Sequence, residues 1–300
     1  MTGARMARPA PSWRLWRPWY GTVRLTPGLF GMIVRHPPHR IVRVINGRSL
    51  VLVAVSLAGL SAHPLRAQQP GPNGLSVRER SAGWKLLFDG STFAGWRGLG
   101  YDSVPSAHWN IVQGAIHKIP GGAVPRMPDG QPAVGGDLMT TSSFRDFELA
   151  FEWKVAPGAN SGVKYNVSEE MSMKVAPNHA ALGFEYQVLD DALNEDNKIP
   201  SHRAGALYDM IPPNDSKRLM PVGEWNRSVI VMKGNHGEHW LNGAIVVQFD
   251  LRTARMDSLV AASKYHAIAG FADHREGHII LQDHADEAWF RSIKIRELKP

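Results

Sequence analysis

Between Phe147 and Val155 the chain alternates with a strict period of two: Phe147, Leu149, Phe151, Trp153 and Val155 are apolar, and Glu148, Ala150, Glu152 and Lys154 fall between them. Such a period sorts side chains onto opposite faces of an extended strand, whereas a helix of 3.6 residues per turn would scatter them around its circumference. The apolar face can be buried only against a second layer. Phe184, Tyr186 and Val188 repeat the pattern against Glu185 and Gln187, and Asn242-Gly243 sits where a two-residue hairpin turn needs positive φ. Further strand-like segments fall at 84–88, 109–112, 115–118, 147–155, 162–167, 183–189, 225–233, 237–241, 244–250, 277–283 and 289–296, separated by turn residues. No stretch shows a long amphipathic helical period. The spacing predicts an all-β domain, a sandwich of two antiparallel sheets.

The net charge of +7 invites a nucleic-acid or membrane-surface reading, but its distribution argues otherwise. Residues 1–67 hold ten Arg and no acidic residue; the remainder carries 24 Lys and Arg against 27 Asp and Glu, a net of −3. The basic part has the layout of an export signal: a flank with Arg40, Arg43 and Arg48, an apolar run from Leu50 to Leu60, and Ala67 at a candidate cleavage point. That run is far shorter than the roughly 20 residues of a membrane-spanning helix, so no permanent anchor is expected. Residues 1–31 read as sequence upstream of a true start at Met32, with an arginine-rich arm as the alternative. Residues 68–81, rich in Gln, Pro, Gly and Ser, read as a linker, and 82–298 as one domain.

Cysteine is absent, which removes disulfides, cysteine-ligated metals and cysteine nucleophiles. No glycine-rich phosphate loop, zinc-protease histidine pair or nucleophile elbow is present, so neither a nucleotide nor a redox cofactor is expected. His236 and His239 have a metal-like spacing, but a solvated turn between strands is enough to explain them and is the expectation here. A retaining jelly-roll glycosidase would place two carboxylates close together on one strand. Here Glu185 is followed by Gln187, which exchanges no proton at neutral pH. What remains is a dispersed polar set: Glu152, Asn160, Lys164, Glu185, Gln187, Asp190, His202, Arg203, Tyr208, Gln282 and His284.

Several ordered blocks resemble a known family. Gly83-Trp-Lys-Leu-Leu-Phe-Asp-Gly90, Gly136-Asp-Leu138, Asn160-Ser-Gly-Val163, Gly183-Phe-Glu-Tyr-Gln-Val-Leu-Asp190, Gly205-Ala-Leu-Tyr208, Gly223-Glu-Trp-Asn226, Trp240-Leu-Asn-Gly243 and Leu281-Gln-Asp-His284 are similar to those of the 3-keto-disaccharide hydrolase domain. The resemblance implies a concanavalin-like jelly roll, secreted by bacteria, that cleaves glycosides whose glucose ring is a ketone at carbon 3. Glu185, Gln187, Asp190 and His284 fall in matching blocks; taken with the dispersed polar set, the candidate catalytic residues are Glu185, His284 and Glu152, and the candidate substrate-binding ones Asn160, Lys164, Gln187, Asp190, His202, Arg203, Tyr208 and Gln282. A ketone at carbon 3 acidifies the hydrogen at carbon 2, so a base, Glu185 or His284, can start an elimination at carbon 1 that hydration completes. A divalent metal could polarise the ketone. A non-catalytic carbohydrate-binding module and a structural domain remain as alternatives; nucleic acid is not an expected partner.

The leader yields its own test. In an exporting host the mature chain is expected to begin at or near Gln68, leaving 233 residues, and intact mass measurement reads the cut directly. A cytoplasmic product that retains Arg35–Leu65 would refute the export reading.

Overall fold

A computed structural model describes residues 71–121, 136–174 and 181–299; the leader expected at 1–67 lies outside them. Within these residues the alternating segments become strands: β1 (Lys85–Leu86), β2 (Trp96–Gly98), β3 (Trp109–Val112), β4 (Ala115–Lys118), β5 (Leu138–Thr140), β6 (Phe147–Val155), β7 (Asn160–Val167), β8 (Phe184–Leu189), β9 (Asn226–Lys233), β10 (His236–Leu241), β11 (Ala244–Asp250), β12 (His278–Leu281) and β13 (Ala288–Glu297). Three short helices, α1 (Val77–Ser81), α2 (Glu169–Lys174) and α3 (Ala254–Ala262), lie between or before them.

Two antiparallel sheets result, as the periodicity requires. The larger runs β11-β10-β9-β6-β13-β4-β3, with β1 paired to β13; the smaller runs β2-β5-β12-β7-β8. Strands distant in sequence lie side by side, β6 with β13 and β12 between β5 and β7, which is the crossing pattern of a jelly roll. The inner faces meet through Phe147, Leu149, Phe151 and Trp153 of β6 and Phe184, Tyr186 and Val188 of β8, all buried. The rings of Phe151 and Tyr186 approach edge to face at 5.5 Å. Asn242 and Gly243 both take positive φ, 45° and 95°, at the β10–β11 turn.

Polar groups inside this core are paired across the sheets. Trp153 Nε1 donates to Ser228 Oγ at 2.8 Å, Ser228 donates to Tyr186 OH at 2.8 Å, and Tyr186 donates to the Trp240 carbonyl at 3.3 Å. His239 Nδ1 donates to the Gly205 carbonyl at 3.1 Å, which leaves Nε2 to accept from Tyr165 OH at 2.8 Å. Burial pushes the His239 pKa down to about 4, so the ring is neutral.

Three readings need correction. His236 and His239 lie on β10, not in a solvated turn, and an odd spacing sends them to opposite faces: His239 into the core, His236 outward to Asp250 and Glu238. The described part of the linker read at 68–81, from residue 71 on, is docked, because Asn73 Nδ2 donates to the Gly114 carbonyl and its Oδ1 accepts from Ser292 N, at 2.8 and 2.7 Å. Within it α1 begins at a capping box, Ser76 with Glu79, and Glu79 pairs with Lys294 of β13. The three-residue strands β2 and β5 escaped the sequence reading, since three residues carry too little periodicity to register.

A neutral buried histidine has a pH signature. Between about pH 6.5 and pH 4 the unfolded chain binds the His239 proton and the folded chain does not, so stability is complete above the unfolded pKa and falls as pH drops through this window. Asp137 works in the opposite sense, because burial pushes its pKa up to about 6. The His239 contribution is therefore isolated by difference: the stability advantage of wild type over His239→Gln in urea unfolding should shrink by about 3 kcal/mol from pH 7 to pH 4. A difference that stays flat would show that the ring is not held neutral.

Candidate active site

The outer face of the smaller sheet gathers most of the polar candidates. On β8, Glu185 and Gln187 point away from the core, and on β7 Asn160, Gly162 and Lys164 lie beside them, with Lys164 paired to Glu185 and Gly162 to Gln187. A methyl group at Gly162 would overlap the Glu185 carboxylate, so the carboxylate holds its present position only beside a glycine. Gln282 extends the same face from β12, its N–H donating to the Gly162 carbonyl at 2.9 Å.

Although these residues face outward, they are buried: Glu185 and Gln282 are 2% exposed and Gln187 0%. The connection after β8 returns along the free edge of that strand. Gly205 N donates to the Gln187 carbonyl at 2.8 Å and Tyr208 N to the Glu185 carbonyl at 3.0 Å, bringing His202 and Tyr208 to the rim. His202 stacks on Tyr208 at 4.3 Å, and its Nε2 lies 2.9 Å from Asp209 Oδ1. The segment after α3 adds Lys264, whose ammonium lies 4.4 Å above the Tyr208 ring, and Tyr265.

Lys164 is the central cation. Its Nζ lies 3.8 Å from Glu185 Oε2 and donates to the Ala181 carbonyl at 3.2 Å. His284, at the turn after β12, has its pKa lowered by burial, against the pull of Asp286, Glu185 and Asp196. The Tyr265 hydroxyl is pushed well above its ordinary value by burial, with the Glu185, Tyr208 and Asp209 charges adding to the shift. Glu185 Oε2, Gln187 Oε1, Gln282 Oε1, His202 Nδ1 and Tyr265 OH are all buried and make no hydrogen bond. Orphaned polar atoms inside a protein are few, and five of them in one region mark a surface shaped for a polar ligand.

Three sequence candidates fall outside this group. Glu152 lies on β6, opposite in parity to the core residues Phe151 and Trp153, so it points to the far side of the sandwich, where Arg227 and Arg291 hold it at 2.9 and 2.7 Å. Asp190 spends its carboxylate on backbone, accepting from Gly158 N and Ala192 N at 2.7 and 2.9 Å. Arg203 is exposed and donates to the Asn197 carbonyl. Sequence reasoning missed Asp196 and Tyr265. Asp196 lay within an acidic stretch that reads as a solvated loop, and Tyr265 lay in a segment with no strand signal.

The divalent ion considered for the ketone would draw on carboxylate and imidazole ligands. Among the described residues no three His, Asp or Glu side chains converge as metal ligands, and the nearest charged partner of Glu185 is an ammonium. The described residues bring a carboxylate, an ammonium and an imidazole to this face.

The comparisons with known proteins agree with one another. The sequence profile of the 3-keto-alpha-glucoside-1,2-lyase-like domain matches residues 83–296. A 3-keto-disaccharide hydrolase of Bacteroides thetaiotaomicron is 37% identical over 238 residues, covering 72% of this chain and 79% of the relative. A crystal structure from Parabacteroides distasonis, described as a candidate glycosyl hydrolase, superposes with a TM-score of 0.65 at 28% identity, over 76% of this chain and 100% of that one. A second from the same organism, at 24% identity and a TM-score of 0.53, covers 72% of this chain and 99% of its own, and shares the fold. The chain belongs to the 3-keto-alpha-glucoside-1,2-lyase-like domain family.

Proposed function

We propose that the protein is a glycoside-cleaving enzyme, exported from the cell, whose substrates are glycosides already oxidised to a ketone at carbon 3. The observation that carries this reading is the pairing of Glu185 with Lys164 among buried acceptors. A carboxylate beside an ammonium suits removal of a proton next to a carbonyl whose oxygen gains negative charge. An acid and a nucleophile working on an unoxidised glycoside would need two carboxylates instead.

In this mechanism Glu185 takes the proton from carbon 2, and the electron pair moves to the carbon 3 oxygen, where the Lys164 ammonium stabilises the enolate. Collapse of the enolate restores the ketone, forms the double bond between carbons 1 and 2, and breaks the bond from carbon 1 to the glycosidic oxygen. That oxygen leaves with the proton held by Glu185. Water then adds to carbon 1, giving a proton to His284, whose burial keeps the ring neutral and able to accept it. The imidazolium returns a proton to carbon 2. The sum is hydrolysis, and release before hydration would give the unsaturated sugar instead.

The tryptophans speak against a module that only binds sugar. Trp84, Trp96, Trp109, Trp153 and Trp240 are buried. On the larger sheet Lys154 lies over Trp225 and Trp289, Arg291 over Trp225 at 3.9 Å, and His117 stacks on Trp289 at 5.0 Å. Side chains already occupy ring faces that a sugar would need.

Two outcomes test the mechanism. In heavy water a 3-keto disaccharide should yield a 3-keto sugar deuterated at carbon 2, with the unoxidised disaccharide inert; cleavage without label, read by mass spectrometry, would mean direct displacement at carbon 1. Glu185→Gln should lower kcat by about 10²–10⁴-fold and Lys164→Met by about 10²–10³-fold, each with an unchanged circular dichroism spectrum. Full activity in either folded variant would remove that residue from its role.

A further inference from the structure

The hydrogen bonds around Gln187 run in a fixed direction, and the direction is set from outside the sheet. Asp196 sits in a 3-10 turn, Glu195–Lys198, and its Oδ2 accepts from Asn160 Nδ2 at 3.1 Å. A carboxylate accepts and has no proton to give, so the Asn160 amide must turn its NH2 group toward Asp196 and its carbonyl away. That carbonyl accepts from Gln187 Nε2 at 3.1 Å. Gln187 in turn must present its oxygen, not its nitrogen, at its other end. This oxygen is wholly buried and accepts no hydrogen bond. Two amides that could each be turned either way are thereby locked by one carboxylate.

We infer that Asp196, acting through Asn160, fixes Gln187 as a hydrogen-bond acceptor and so makes the site select a substrate that donates a hydroxyl proton at this point. The inference rests on the reading of the substrate as a 3-keto glycoside. On such a sugar the ketone, the ring oxygen and the glycosidic oxygen only accept, while each remaining hydroxyl can donate. The ketone therefore belongs with the Lys164 ammonium and a hydroxyl with Gln187. Gln282 Oε1 and Glu185 Oε2, orphaned on the same face, add acceptors of the same polarity. A site of this polarity orients the ring, because turning the sugar over would set ketone oxygen against amide oxygen. Asp196 touches no reacting atom in this account and is a positioning residue.

The test uses the purified mature protein and a 3-keto glucoside whose remaining hydroxyls are replaced, one at a time, by hydrogen and by fluorine. Fluorine does not donate, so it should not substitute for the hydroxyl that faces Gln187. At one position both replacements should lower kcat/KM by about 10- to 100-fold. Asp196→Asn releases the lock and should reduce that discrimination to about threefold or less. Gln187→Glu sets a carboxylate against the Asn160 carbonyl and should cost about tenfold or more. Combining the two substitutions lets Asn160 turn round, donating to the new carboxylate on β8 and accepting from the new amide in the 3-10 turn. This double variant should recover to within about threefold of wild type and restore the discrimination. A double variant no better than the product of the two single losses would overturn the inference, as would a wild-type enzyme that cleaves the parent sugar and tolerates every replacement. Failure to cleave the parent sugar at all would overturn the proposed function, and this inference with it.

Discussion

An ion pair with neither partner in contact with water holds the site in shape. Lys118 and Asp283 are both 0% exposed, with Nζ and Oδ1 2.9 Å apart, and the other oxygen of Asp283 is bound to His108. Removing one member of such a pair strands the other charge, at a cost of about 3–5 kcal/mol, so the pair is a rigid anchor once formed. Its position explains its use. Asp283 stands between Gln282 and His284, and its amide N–H donates to Asp137 Oδ1 at 2.8 Å. The turn that presents the imidazole is thus tied to β4 through Lys118 and to β5 through Asp137, with no room for any side chain at Gly136 beside it.

From this anchor the polar face is assembled by parity. Strands β7, β8 and β12 each send alternate residues inward to an apolar core and outward to the site, so the core that stabilises the fold also sets the direction of every site residue. Tyr186 is drawn into the core by Phe151 and Ser228, and that choice forces Glu185 and Gln187 outward together. A one-residue slip of β8 would exchange the two sets. The His239 ring adds a tie between core and rim: it is held between Tyr165 and the Gly205 carbonyl, and Gly205 belongs to the connection that carries His202 and Tyr208.

Much of this was legible in the sequence, because period two carries fold and facing direction at once. The β6 and β8 alternations place the core correctly, and they put Glu185 and Gln187 on one face without any coordinates. The same rule shows why Glu152 was misplaced: parity gives the face of a strand's own sheet, but which sheet borders the site depends on the order of strands, and β6 lies in the larger sheet. Loop residues obey no period. Asp196 and Tyr265 reach the site through connections whose path is fixed by long-range bonds, as with Ala204 N to Asp191 Oδ1 and Lys264 N to Asp209 Oδ2. Asp190 failed for a related reason, since its carboxylate is consumed by a turn that the sequence does not display.

A perturbed pKa alone would point to a different carboxylate from the one proposed as base. Asp137 has its pKa pushed up by burial to about 6, against the pull of Lys164, into the range often sought for a proton-transfer group. Both of its oxygens, however, are occupied, one by Asp283 N and the other by Ala181 N at 3.2 Å. A carboxylate so bound can neither approach a substrate nor take its proton without breaking the bonds that shape the turn. Glu185 has Oε2 with no hydrogen bond, an ammonium 3.8 Å away, and the small residue Gly162 on the neighbouring strand beside its side chain. Geometry comes before acidity in choosing a base. Asp137, through the backbone N–H groups it binds, holds the turn together, and the proposal for the base therefore rests on Glu185.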